Sequence, residues 1–89
     1  MKKYFAEIKI MLKRGILDVQ GKTVENALHS MEFQNISNLR IGKLVELSIE
    51  ADNKDEAYKI VESACSKLIA NPIIEDFIIQ IHEEPKGDL

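Results

Sequence analysis

An α+β sandwich is what the order of hydrophobic periods along this chain predicts. Three observations carry it: a two-residue apolar period near each end, a double run of the same period in the middle, and one helical stripe in each interval between them. The predicted order is therefore strand, helix, strand, strand, helix, strand. The middle run, Asn38 to Glu50, places Leu39 and Ile41 before Gly42-Lys43 and Val45, Leu47 and Ile49 after it. That alternation reads as the two arms of a hairpin, with Gly42 free to take a positive φ at the reversal and Lys43 solvated beside it.

The first strand, Lys3 to Lys13, sets Tyr4, Ala6, Ile8, Ile10 and Leu12 on a core face and Phe5, Glu7, Lys9, Met11 and Lys13 on the other. Lys13 to Gly21 then breaks the period, and Asp18 is placed to cap the first helix. Gly21 falls on the stripe Gly21, Val24, Leu28, Met31, with Ala27 beside it, so its missing Cβ lets the helix start lie close against the sheet. The helix ends near Glu32, because Phe33 to Ser37 has no stripe and contains Asn35 and Ser37. Asn53 and Glu56 form a capping box that opens the second helix. Ala57, Ile60, Val61, Ala64 and Leu68 hold the spacing of one buried face, with Cys65 at its edge, and Asn71-Pro72 ends the helix. In the last strand Phe77, Ile79 and Ile81 alternate with Ile78, Gln80 and His82. Residues 1–84 are expected to form one domain and residues 85–89 a frayed tail, polar and broken by a proline and a glycine.

Two helices on one face of a four-stranded antiparallel sheet, with right-handed crossovers, make the ferredoxin-like βαββαβ sandwich in spatial order 4-1-3-2. The first and third strands would be central, since their core faces are the most uniformly apolar. The helix-free face carries Phe5, Met11, Leu44 and Ile78 among Glu7, Lys9, Glu46, Ser48, Glu50 and Gln80. These four apolar residues are too many for a purely solvated face, and a homodimer interface is expected to cover them.

Composition excludes several function classes. Lys plus Arg is 12 against 15 Asp plus Glu, a net charge of −3, which argues against a protein that grips a nucleic-acid backbone. No apolar run approaches the roughly 20 residues of a membrane span, and Met1-Lys2-Lys3 leads at once into a charged strand, so the expected address is the cytoplasm. The single cysteine, Cys65, fits a reducing compartment. His29 and His82 have no neighbour at ligand spacing, and no nucleophile with its base is visible. Gly15 and Gly21 make neither a P-loop nor a dinucleotide fingerprint. No stacking aromatic occupies the third strand, where RNA-recognition domains place theirs. Neither a catalytic residue nor a metal site is expected.

Three stretches carry a family resemblance: Lys13 to Ser30 (Lys-Arg-Gly-Ile-Leu-Asp-Val-Gln-Gly-Lys-Thr-Val-Glu-Asn-Ala-Leu-His-Ser), Arg40 to Leu47, and Leu68 to Phe77. Over nearly its whole length the chain resembles the PurS family. PurS is the small subunit of phosphoribosylformylglycinamidine synthase in organisms with a short PurL. That complex converts formylglycinamide ribonucleotide, ATP and glutamine to formylglycinamidine ribonucleotide in purine biosynthesis. The resemblance implies a non-catalytic assembly subunit, required by a carbon–nitrogen ligase that takes its nitrogen from glutamine. It would bridge the PurL synthetase and the PurQ glutaminase as a homodimer or dimer of dimers, without nucleic acid or membrane. The complex would use ATP and Mg, and this chain would bind neither. The partner-binding positions implied are Gly15, Leu17, Asp18, Gln20 and Gly21 in the first loop and Arg40 and Lys43 in the middle motif. Two positions depart from the family pattern: Val19 stands where proline is usual, and Glu32 where a helix-ending glycine is usual. The alternative from another class is an ACT-like small-molecule-sensing module, which shares the βαββαβ plan and also dimerises through its sheets.

Overall fold

The computed structural model of the chain describes residues 1–83. Residue 84 and the tail expected over residues 85–89 lie outside the described residues. Strand β1 (Lys2–Leu12) leads through a loop to helix α1 (Val19–Ser30). Strand β2 (Lys43–Ala51), helix α2 (Lys54–Ala64), a π-helical turn (Cys65–Ile69) and strand β3 (Glu75–Glu83) follow. The sheet has three strands in the order β2-β1-β3, both pairings antiparallel, with Ile8 opposite Val45 on one side and Ile79 on the other.

This corrects the expected four-stranded, 4-1-3-2 sheet. The strand expected over Asn38 to Ile41 does not form, and Gly42 is not a turn glycine: the positive φ in this region belongs to Asn38, at 58°. A Cβ at Gly42 would overlap the Ile10 carbonyl oxygen and Met11 Sδ, so glycine is what lets the chain run flush past the end of β1 on its way into β2. The amides that a strand ladder would have used are taken by side chains: Leu39 N–H donates to Glu25 Oε1 at 2.9 Å and Ile41 N–H to Asp18 Oδ2 at 2.8 Å. With no outer partner, β2 is an edge strand and not a central one. Its inward residues Val45, Leu47 and Ile49 are accordingly only half-buried.

The expectation of two helices on one face is also corrected. The core lies between β1 and α2, where Ala6, Ile8 and Ile10 meet Ala57, Val61 and Cys65, all at most 1% exposed. Asn53 opens α2 by accepting from Glu56 N–H at 2.8 Å, and Glu56 reaches back to Asp52 N–H at 2.9 Å. Cys65 is at the centre of the buried stripe and not at its edge; burial, with Glu62 nearby, pushes its thiol pKa above the ordinary value. Leu68, expected inside, is 86% exposed. The π turn explains it: Ala70 N–H bonds the Cys65 carbonyl five residues back, and this wider turn keeps Ile69 on the core in place of Leu68. Helix α2 packs against all three strands, whereas α1 has no comparable contact with any strand and buries only Gly21. The radius of gyration is 16.8 Å, against about 12 Å for a compact domain this long.

Candidate functional site

The loop leaving β1 turns at Gly15, where φ is +90°, and enters α1 through Asp18. Asp18 does two things at once. Its Oδ1 accepts from Gly21 N–H at 2.9 Å, capping the helix, and its Oδ2 accepts from Ile41 N–H, tying the helix start to the segment that precedes β2. These amides, Gly21 first and Ile41 second, hold its carboxyl below the ordinary aspartate range; burial acts against them and the Arg40 charge with them. Gly21 is needed for this joint, because a Cβ there would overlap Asp18 Oδ2 and stand 2.8 Å from the Leu39 carbonyl oxygen. The close approach that its missing side chain permits is to residues 39–41, not to the sheet. Seven residues along α1, Glu25 makes the second tie.

Arg40 Nη2 donates to the Leu12 carbonyl, so this guanidinium closes the joint against the end of β1. Lys43 Nζ lies 3.5 Å from Glu75 Oε2, a carboxylate whose side chain is 12% exposed. Around the joint are two depressions. A cleft of about 480 Å³ is lined by Arg14, Ile16, Leu17, Asp18, Lys22, Glu25, Asn38, Leu39 and Arg40. A second, of about 330 Å³, includes Leu17, Asp18, Gln20, Gly42, Lys43 and Glu75. Of the positions implied by the family resemblance, Leu17 and Asp18 thus line both, Arg40 the first, and Gln20 and Lys43 the second. Gly15 and Gly21 line neither and act through the backbone.

On the helix-free face, Leu44 and Ile78 flank Lys9 across β1 and form, with Met11, an apolar depression of about 380 Å³. Phe5 lies six residues from Met11 along the strand, about 20 Å away, and stacks on His82 with ring centroids 6.3 Å apart. His82 Nε2 also meets Glu7 Oε1 at 3.0 Å. The four expected interface residues are therefore one cluster of three and a separate aromatic. Reading the sequence missed Arg14, Lys22 and Glu25; the available signal was the seven-residue spacing of Asp18 and Glu25, two turns on one helix face. Among the described residues no group of three or more His, Cys, Asp or Glu side chains could hold a metal ion, and no helix is long and apolar enough to cross a membrane.

Residues 5–83 match the PurS family, described as phosphoribosylformylglycinamidine (FGAM) synthase. The chain is 40% identical over 80 residues to the phosphoribosylformylglycinamidine synthase subunit PurS of Bacillus subtilis, covering 90% of this chain and 94% of that one. It is 34% identical to the PurS subunit of Methanocaldococcus jannaschii, covering 90% and 96%. Among solved structures, B. subtilis PurS superposes with a TM-score of 0.80 at 40% identity, covering 90% of this chain and 99% of that one. The PurLQS structure from Thermotoga maritima gives a TM-score of 0.84 at 32% identity, covering 91% and 99%. With a match that spans β1 to β3 and relatives that agree in both sequence and fold, the chain belongs to the PurS family of phosphoribosylformylglycinamidine synthase subunits.

Proposed function

We propose that this chain is the assembly subunit of a cytoplasmic phosphoribosylformylglycinamidine synthase, joining a PurL synthetase to a PurQ glutaminase in purine biosynthesis. The observation that carries the reading is the likeness to a chain of the PurLQS structure of T. maritima across nine-tenths of this one. ATP and Mg are used by the complex, and this chain contributes surfaces, not catalytic groups. The joint bearing Gly15, Leu17, Asp18, Gln20, Gly21, Arg40 and Lys43 is its partner-binding region. Met11, Leu44 and Ile78, with Phe5 further along, form its contact with a second copy. An apolar cluster on a strand face beside an unpaired sheet edge supports that assignment.

Co-purification with short-form PurL and PurQ in the presence of glutamine and ADP tests the reading. All three chains are expected in one complex, with glutamine-dependent synthesis lost when this subunit is left out. The pure chain is expected to release no ammonia from glutamine and no phosphate from ATP. Turnover by the chain alone, or failure of the three to co-elute, would overturn the assignment.

A further inference from the structure

The cleft beside the start of α1 gathers Arg14, Lys22 and Arg40 in a chain whose net charge is −3. Its two carboxylates are turned inward: both oxygens of Asp18 and one of Glu25 accept backbone N–H groups. The ion pairs among the described residues are Lys13–Asp76, Lys43–Glu75 and His82–Glu7, so none of the three cations of the cleft is in an ion pair there, and only Arg40 is near enough to Asp18 for its charge to act on that carboxyl. Two of them, Arg14 and Lys22, are exposed. Beside them stand Ile16 and Leu17, the latter 72% exposed, an apolar surface that water solvates poorly.

We propose that this cleft docks an acidic segment of a partner subunit, its carboxylates on Arg14 and Lys22 and an apolar side chain on Ile16 and Leu17. The inference rests on the assembly function proposed above and adds the chemistry of the contact. A guanidinium takes a carboxylate through two parallel hydrogen bonds, and an unpaired Arg14 is free to do so. The apolar rim favours a peptide segment over a free phosphate, which would have no use for Leu17. Arg40, held by the Leu12 carbonyl, shapes the floor and adds charge.

The test is a titration of the full chain with its synthetase and glutaminase partners, at salt below and well above the roughly 0.15 M where the screening length is about 8 Å. Arg14→Glu combined with Lys22→Glu is expected to weaken assembly by about tenfold or more at low salt, with the difference shrinking at high salt. Both side chains are exposed and without hydrogen-bond partners among the described residues, so the melting temperature should not move. Lys59→Glu with Lys67→Glu, the same charge change on exposed positions of α2 and its π turn, should assemble like the parent. An oligoglutamate peptide is expected to compete, and inorganic phosphate at matched ionic strength is not. Displacement by phosphate alone would overturn the acidic-segment assignment. Equal assembly of parent and charge-reversed chain at every salt would overturn the cleft and leave the assembly function standing. A parent that never binds the partners would overturn both.

Discussion

Glu32 holds a backbone conformation that its own side chain disfavours, with φ at +73°. The helix end requires it: Glu32 N–H bonds the His29 carbonyl at 3.2 Å and Phe33 N–H the Leu28 carbonyl at 3.0 Å, the paired closure that a left-handed residue makes possible. Left-handed geometry costs a non-glycine residue about 1 kcal/mol or more, and glycine returns part of that gain as unfolded-state entropy. Glu32→Gly is therefore expected to stabilise the chain by about 0.5 to 1 kcal/mol, read as a higher urea midpoint at unchanged slope. An unchanged midpoint would mean that the strain is relieved in solution. At Asp18 the argument concerns pH. Its folded-state pKa lies below the ordinary 3.8, so its contribution is present above that value and lost as pH falls through the lowered one. Asp18→Asn keeps an oxygen for one amide but not the charge or the second acceptor. Thermal melts should show a parent more stable than the variant at neutral pH, the gap closing below about pH 4.

Among the elements, the straight entry into β2 is possible because position 42 is a glycine. The alternation of Leu39 and Ile41 with Val45, Leu47 and Ile49 suits two strands equally well, because period two reports which face a residue occupies and not which neighbour it pairs with. Both sides of β1 are already paired, and the Ile10 carbonyl leaves room at position 42 only for glycine. Met11 can move its side chain, but the Ile10 backbone cannot yield without shifting β1. Gly42→Ala is thus expected to destabilise the fold by about 1 to 3 kcal/mol in chemical denaturation, the range of an overpacked site. A neutral result would show that the strand end is slack. The helix starts were legible for the opposite reason: Asp18 with Gly21 and Asn53 with Glu56 act over three residues, and such contacts need no tertiary partner. Leu68 was not legible, since the π turn that turns it outward leaves no mark in the apolar spacing.

For the whole molecule the informative feature is how little of α1 is covered. Val24 and Met31 on its stripe are exposed, and the sheet's outer face keeps Leu44 at 57% and Ile78 at 64% exposure. Apolar surface of this extent is what subunit interfaces cover, which fits the assembly role proposed above. Leu44→Lys with Ile78→Lys should leave the monomer's fold intact, because neither side chain is in its core, and should reduce the mass measured by light scattering to that of one chain. Retention of the parent's mass would move the self-contact to α1 or to the free edge of β2.

Legible along the chain were Tyr4, Ala6, Ile8 and Ile10 on the core face of β1, the caps of both helices, the stop at Asn71-Pro72 and, through the motifs, the family. Each of these depends on residues a few positions apart or on a pattern held over most of the chain. Folding in three dimensions settles the rest: a sheet of three strands among the described residues, an α1 that stands off it, and one cleft shared by Arg14, Lys22 and Arg40. Those outcomes rest on contacts between residues such as Asp18 and Ile41, far apart in sequence, where a carboxylate and a strand partner compete for the same amide. Local periodicity is the same whichever of them wins.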